Sequence, residues 1–293
     1  MKKKMIFSLV CIVILIAVFS VTAYADMGPK PSVRITFEGL GDELCYGTLL
    51  SKNDSTGPAR VYDGVADYAV HSGNFDWANL DYETWKAFVE YKDGDGYYFL
   101  QEGWRVDESK SLAWTYYPPQ SFKILLYFPE SETFITSGIY ETYAFDSYFT
   151  VDISNMTDIL VAEKSYDYSW ELISLALRII ITIALETGIA IAFGFRSKKQ
   201  LLIISCVNVS TQIILNILLN IINYASGLLA FTAFYVLLEI IVFATEATVF
   251  TYTLRRFDEN AKKRYVPAVY ALVSNAISFG AGFLIAKFIP GIF

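Results

Sequence analysis

Ionisable residues inside long apolar stretches are the residues of this chain whose chemistry most needs an explanation. The stretch at 237–254, LLEIIVFATEATVFTYTL, carries Glu239 and Glu246, and an equally apolar stretch upstream carries Arg178 and Glu186. A charge in apolar surroundings is costly unless another polar group contacts it. Each of these residues is therefore either a hydrogen-bonding partner that holds the structure together or part of a site for a proton or a cation.

Four apolar stretches, near 170–195, 201–222, 228–254 and 267–289, each reach the roughly 20 residues with which a helix crosses a bilayer. They predict an all-α, four-helix transmembrane domain over 169–293. Basic residues cluster in RSKKQ after the first stretch and in RRFDENAKKR after the third, whereas NYASG after the second has no charge. Because basic loops stay cytoplasmic, this pattern predicts that the C-terminus and the chain before 169 lie outside.

The first 25 residues have the pattern of a secretory signal peptide. Lys2, Lys3 and Lys4 precede a continuous apolar run, and AYA, which ends at Ala25, has the small-x-small pattern of a cleavage site. An uncleaved anchor is the alternative. Both interpretations export the segment 26–168, in agreement with the orientation that the basic loops predict.

The predicted exported domain, 26–168, is strongly acidic. It holds 10 Lys and Arg against 24 Asp and Glu, a net charge of −14, whereas the whole chain has −7. This excess argues against a nucleic acid partner and is compatible with cations, basic peptides or simple solubility. Cys45 is the only cysteine in this segment, since Cys11 belongs to the signal and Cys206 to an apolar stretch. No disulfide framework is therefore expected.

The pattern of this domain is mainly β, and we expect a β-sandwich-like fold. KILLYF at 123–128, the turn PESE and TFITSG at 133–138 predict a hairpin, and the runs at 96–106 and 140–153 are also rich in β-formers. ETWKAFVEY at 83–91 has helical spacing. Fifteen of the 21 tyrosines lie in 26–168. They either fill half-buried sheet positions or form a surface for a glycan or peptide ligand.

Two sequence features are candidates for a metal or catalytic site. KDGDGYY at 92–98 places Asp93 and Asp95 two residues apart, but its glycine comes too early for a calcium-binding EF-hand loop, so the motif predicts a turn. The single histidine, His71, excludes a His-rich metal site, and its VHSGNF context has no nucleophile-elbow pattern. The sequence therefore predicts no catalytic residues, no metal site and no cofactor.

The polar residues of the apolar stretches fall into two layers when depth is taken at about 1.5 Å per helical residue. Arg178, Asn216 and Glu239 form the outer layer. In one interpretation both layers are interhelical hydrogen bonding, with Arg178 neutralising Glu239. In the other, the inner layer binds a proton or cation, because burial without a cationic neighbour favours neutral carboxyls. The inner layer contains Glu186, Asn208, Glu246 and Asn275. Gln212 and Ser278 lie on the same helix faces, four residues after Asn208 and three after Asn275.

Several segments carry a resemblance to a known group of proteins. They are DMGPKPSV after the signal, the block WTYYPP…FKILLYFPE…TFITS…IYETYAFDSYFTVDI, and the block LRIIITIALE…FGFRSKKQLL…VN…TQIILN…LLE…E…SNAISFG. Together they resemble a family of multi-pass membrane proteins of Gram-positive, clostridia-like bacteria. The resemblance implies an exported N-terminal domain and a place in the bacterial cytoplasmic membrane. It brings no established activity, cofactor or site residue.

The expected function is non-enzymatic: binding, sensing or scaffolding at the cell envelope through the exported domain. Its partners would be the lipid bilayer and an envelope protein, a peptide or a glycan. The sequence is also compatible with an oligomer. The alternative is a small proton- or cation-coupled transporter or channel that uses the intramembrane glutamates and asparagines. An intramembrane hydrolase is a weaker alternative, because the apolar stretches lack a metal motif such as HExxH.

Overall fold

The computed structural model describes residues 28–64, 80–154, 159–257, 263 and 265–288. The predicted signal peptide with Cys11, and His71, lie outside the described residues. The chain divides into two compact units. One is Pro29–Tyr166, here called the β unit, and the other holds the helices from Asp167 onward and is called the helical unit.

Two sheets make up most of the β unit. The first has the order β13-β11-β1-β7, in which β1 pairs in parallel with β11 and antiparallel with β7. The second has the order β12-β9-β8-β2-β5, with β10 also paired to β8 and β6 to β2. The strands are β1 (Ser32–Glu38), β2 (Tyr46–Ser51), β3 (Ser55–Thr56), β4 (Ala59–Arg60), β5 (Tyr98–Phe99), β6 (Trp104–Arg105), β7 (Ser111–Trp114), β8 (Ser121–Phe128), β9 (Thr133–Ser137), β10 (Tyr140–Glu141), β11 (Asp146–Asp152), β12 (Ile159–Leu160) and β13 (Ala162–Lys164).

The predicted hairpin is confirmed, because β8 and β9 pair antiparallel with Phe128 opposite Thr133. The predicted β run at 96–106 is only partly formed. It gives the two short strands β5 and β6, which are separated at Gln101, where φ is +63°. A non-glycine residue seldom adopts that backbone conformation, so the chain turns there instead of continuing as one strand.

The strand β8 is buried on both of its faces. Alternate residues such as Ile124 and Leu126 join a core shared with the first sheet, where Phe122 lies edge-on to Phe149 of β11 at 5.6 Å. The intervening residues, such as Leu125, face a second core. This double burial explains why KILLYF reads as a continuous apolar run instead of an alternating one.

A short helix, α1 (Tyr82–Glu90), covers the second core, as its spacing predicts. Asp81 caps it, accepting the backbone N–H of Thr84 at 2.8 Å. Trp85 and Phe88 lie on the buried face, and the Phe88 ring stacks on Phe99 of β5 with centroids 5.0 Å apart. The N-cap and the apolar face together define where this helix begins and how it packs.

The KDGDGYY motif forms a turn, as predicted, and the turn holds a buried ion pair. Lys123 Nζ of β8 lies 2.8 Å from Asp93 Oδ1 and 2.5 Å from Asp95 Oδ2, and the side chains of Lys123 and Asp93 are 5% and 2% exposed. Burial by itself would raise the pKa of the Asp93 carboxyl. Hydrogen bonds from Lys123 and from the backbone N–H groups of Tyr97 and Asp95 outweigh burial and hold that pKa below its usual value. The turn therefore neutralises the one ammonium that β8 carries into the core.

The helical unit contains α2 (Ser169–Ala192), α3 (Lys198–Thr253), a 3-10 turn (Leu254–Phe257) and α4 (Val266–Phe288). Gly227, with φ +77°, interrupts α3 inside the predicted NYASG break. Gln200 Nε2 donates to the Leu254 carbonyl at 3.2 Å, although 54 residues of straight helix would separate them by roughly 80 Å. Since these residues meet, α3 reverses at Gly227 into two antiparallel segments, α3a (198–226) and α3b (228–253).

Within the described residues, α2 and α3 are long and apolar enough to cross a membrane. Their apolar stretches are Leu175–Ala192 and Lys198–Phe257, and α4 contributes a shorter one, Val266–Ala281. This finding concerns length and composition. The structure thus has a β-rich part followed by apolar helices.

The buried ion pair generates a stability prediction. Asp93→Ala removes the buried counter-charge of Lys123 and leaves the more exposed Asp95 as its partner, so we expect a loss of about 3 kcal/mol in the free energy of unfolding, the lower end of the range for breaking a buried ion pair. The measurement is urea unfolding of the detergent-solubilised chain followed by tryptophan fluorescence, because four of its five tryptophans lie in 29–166. The control is Glu90→Ala, which breaks the exposed 3.9 Å pair with Lys86 and should cost less than about 0.5 kcal/mol. Equal losses in the two variants would contradict the burial of the Lys123 pair.

Candidate functional site

Glu186 joins three helical segments. It lies on α2 and is 1% exposed. Its carboxyl accepts hydrogen bonds from Asn208 Nδ2 of α3a at 2.5 Å and from Ser278 Oγ of α4 at 3.5 Å. The hydroxyl of Tyr270 in α4 donates to the main-chain carbonyl of Glu186 at 3.2 Å. A single buried carboxylic residue therefore links α2 to both α3a and α4.

Glu246 has a matching environment on α3b and is also 1% exposed. Thr211 Oγ1 of α3a donates to its Oε1 at 2.7 Å, and Asn275 Nδ2 of α4 donates to its Oε2 at 2.6 Å. Asn275 Nδ2 also reaches the Ala271 carbonyl at 3.0 Å. Both carboxyl oxygens are thus satisfied, each by a residue of a different helical segment.

The two carboxyls act as one cluster, because Glu186 and Glu246 lie close enough to interact electrostatically. The donors that contact them in the described part of the chain are amides and hydroxyls, which carry no charge. Asn208 Oδ1 is buried and has no hydrogen-bond partner among the described residues. Carboxyl, amide and hydroxyl oxygens are the atoms that hard cations prefer. The polar cluster is defined here as Glu186, Asn208, Thr211, Glu246, Asn275 and Ser278.

The other predicted site residues form separate contacts. Asn216 Nδ2 donates to the Gln212 carbonyl one turn earlier, so this contact lies within α3a. The Arg178 guanidinium lies over the Tyr235 ring, 5.5 Å from its centroid, and Glu239 hydrogen-bonds to the same tyrosine. Arg178 and Glu239 also interact electrostatically. The predicted outer layer therefore gathers Arg178 and Glu239 around Tyr235.

Three residues of these sites were missed at the sequence level. Thr211, Tyr235 and Tyr270 were not predicted, although helical spacing offered a signal for two of them. Thr211 follows Asn208 by three residues and Tyr235 precedes Glu239 by four, which places each pair on one helix face. Tyr270 has no such neighbour among the predicted residues. Only its packing reveals that it contacts Glu186.

The β unit holds a second candidate, which we call the aromatic pocket. It is a cavity of about 210 Å³. Trp104 of β6 and Trp114 of β7 form two of its walls, with ring centroids 5.4 Å apart and planes at 54°. The lining comprises Pro58, Ala59, Glu102, Trp104, Ala113, Trp114, Thr115 and Tyr116. Three separate chain segments, at 58–59, 102–104 and 113–116, thus meet around one aromatic cavity.

Glu102 brings a carboxyl into this pocket. Burial raises its pKa to about 7, so that its charge changes near neutral pH. Two residues in rare left-handed conformations flank the lining, Gln101 with φ +63° and Tyr117 with φ +49°. Such strain persists only where surrounding structure enforces it, and it is common at binding sites. Lys110 and Glu132, which do not line the pocket, have the same conformation with φ +49°, so it marks tight turns of the β unit as well as the pocket.

The comparisons with known proteins return no match, whether to a family model, to a curated protein or to a solved structure. The resemblance to clostridia-like membrane proteins stays a prediction. The chemistry of the two candidate sites must therefore be argued from their own residues.

The geometry around Glu246 generates a prediction about the fold. In Glu246→Gln the new Oε1 can accept from Asn275 while Nε2 donates to Thr211, whose own proton turns to the Val207 carbonyl at 3.1 Å. We therefore expect this variant to elute and melt like the parent in detergent. Glu246→Leu leaves the Asn275 amide with the Ala271 carbonyl as its remaining acceptor and one N–H unsatisfied, so we expect a loss of about 1–3 kcal/mol. Unfolded Glu246→Gln would mean that the site requires a charged carboxylate.

Proposed function

We propose that this chain is a multi-pass protein of a bacterial cytoplasmic membrane that binds a ligand, without enzymatic chemistry, through an exported β-sandwich-like domain. In this proposal the β unit is the exported domain and serves binding or sensing at the cell envelope. The helical unit is a four-helix transmembrane bundle made of α2, α3a, α3b and α4. The observation that carries the binding function is the aromatic pocket.

The distribution of polarity in the helical unit supports its place in a bilayer. Its buried side chains include glutamate, glutamine and asparagine, whereas large aliphatic residues lie on its surface. Water does not favour that arrangement and lipid does. The exposed aliphatic residues of α2 and α3 include Leu172, Ile173, Ile180, Leu202, Ile214, Ile217, Ile221, Leu228, Leu237 and Ile241.

Two independent features of the sequence support the orientation. The signal-like pattern at 1–25 exports the segment that follows it, and the basic loops after the first and third apolar stretches favour the cytoplasm. With an even number of crossings, both assign the β unit and the C-terminus to the outer side. The same arrangement would place the ligand pocket outside the cell.

The topology is tested with a reporter enzyme that is active only in the cytoplasm. Fusions after Tyr168 and after Phe293 should be silent, and fusions after Lys199 and Asn260 should be active, because the basic loops hold those positions inside. Immunoblots of the fusions control for expression. Activity after Phe293 would show that one of the four stretches does not cross the membrane.

Binding is tested by calorimetry on the full-length protein in nanodiscs. Three classes of small compound that bind to aromatic rings are used: cationic, anionic and neutral. We expect at least one class to bind, and Trp104→Leu to weaken that binding at least about fivefold, since stacking on a tryptophan is worth about 1 kcal/mol or more. Tyr98→Leu is the matched control, because Tyr98 is 47% exposed and does not line the pocket. Absence of binding by all three classes would contradict the binding function.

The polar cluster favours a second candidate function, proton- or cation-coupled transport through the helical unit. Its support is the pair Glu186 and Glu246, which are buried with uncharged donors, and the buried Asn208 Oδ1, to which no described residue donates. The variant Glu246→Gln separates the two functions. If the cluster only joins helices, the folded variant keeps the phenotype of the parent gene. If the cluster transports protons or cations, the folded variant loses that phenotype, because an amide cannot bind and release a proton as a carboxyl does.

A further inference from the structure

We propose that the aromatic pocket takes a small organic cation of the quaternary ammonium class, which Trp104 and Trp114 contact through their ring faces and Glu102 neutralises. This inference rests on the proposed binding function and names its ligand chemistry. Three features support it: the aromatic rings of the pocket, the Glu102 carboxyl, and the small cavity within a strongly acidic segment.

The rings supply the first part of the argument. The faces of tryptophan and tyrosine carry negative electrostatic potential and attract cations within about 6 Å of the ring centroid. Trp104 and Trp114 stand at 54° to each other and so form a corner instead of a flat stack. A compact cation in that corner contacts two rings at once. Lys30 Nζ already lies over Tyr116, 5.9 Å from its centroid, and over Tyr117 at 5.5 Å, so the two tryptophans are the rings on which a bound cation would chiefly depend.

The carboxyl supplies the second part. Among the described residues that line the pocket, Glu102 is the one acidic residue and none is lysine or arginine. No hydrogen bond from the described residues reaches its side chain, whereas its main-chain carbonyl accepts from Thr48. A partly buried carboxylate without a counter-charge is stabilised when a cation binds beside it. A bound ammonium would provide that charge.

Size and long-range charge supply the third part. Pockets for drug-sized molecules measure about 300–1,000 Å³, so a cavity of about 210 Å³ fits only a few heavy atoms. The segment 26–168 has a net charge of −14, which raises the local concentration of cations and repels anions. A free cation is favoured over a zwitterionic lipid headgroup, because the headgroup carries a phosphate into this field.

The charge of Glu102 should make binding depend on pH. Since burial raises its pKa to about 7, the carboxylate is mostly ionised at pH 8 and mostly neutral at pH 6, and affinity should fall about tenfold between them. Tyr116 is the other titratable residue among the described residues of the lining. Nearby, Lys30 lies over Tyr116, and Arg105 pairs with Asp107 and Glu108. Lysine, arginine and tyrosine ordinarily titrate well above pH 8.

The test is calorimetry at pH 8 on the full-length protein in nanodiscs, with choline, with its neutral isostere 3,3-dimethylbutan-1-ol, with glycerophosphocholine and with a neutral disaccharide. We expect choline to bind at least about tenfold more tightly than the isostere. Glu102→Gln should lose about tenfold in affinity and its pH dependence. Glu38→Gln, an exposed carboxylate of the same unit, should bind like the parent. Melting curves of each variant confirm its fold.

The outcomes separate the inference from the proposed function. Equal affinity for choline and its isostere, or binding of the disaccharide alone, would overturn the cation and leave a binding pocket. Tighter binding of glycerophosphocholine than of choline would overturn the free cation in favour of a lipid headgroup. No binding by any of the four would contradict both. The isostere comparison uses the unaltered protein, so it decides the question even if Glu102→Gln fails to fold.

Discussion

Polar groups that leave water must find their hydrogen bonds and counter-charges inside the protein, and the structure of both units depends on this constraint. In the β unit, the buried Lys123 draws the 93–95 turn onto the sheet through its two aspartates. In the helical unit, Glu186 and Glu246 each accept donors from two neighbouring segments. Removing one donor leaves a buried acceptor unsatisfied, so these contacts define register as well as adding stability.

The two units satisfy the constraint with opposite distributions of polarity. The β unit buries aromatic and aliphatic residues between its sheets and under α1, and its sequence is strongly acidic. The helical unit buries amides and carboxyls and exposes aliphatic side chains. Glu102 differs from the buried carboxyls of Asp93, Glu186 and Glu246, because no described residue donates to its side chain although burial raises its pKa. That difference makes the pocket, and not the polar cluster, the stronger argument for a ligand.

Short-range features of the sequence determined much of the local structure. The hairpin of β8 and β9, the helix α1 and the turn at 93–95 all follow from patterns within about ten residues. Periodicity, a capping aspartate and turn-forming glycines act locally, so they can be read without knowing the fold. The apolar helices also followed from composition, and the reversal at Gly227 from a short uncharged break.

Only the tertiary structure decided which distant residues meet. The parallel pairing of β1 with β11 joins segments more than a hundred residues apart, and the pocket needs three separate segments. Thr211, and not Asn208, contacts Glu246, while Asn208 contacts Glu186. Each helical residue turns the side chain by about 100°, so these choices depend on small rotations and slides between packed helices. The sequence by itself determined that polar residues would be buried together in the helices, and packing chose their partners because register between segments is a property of the whole core.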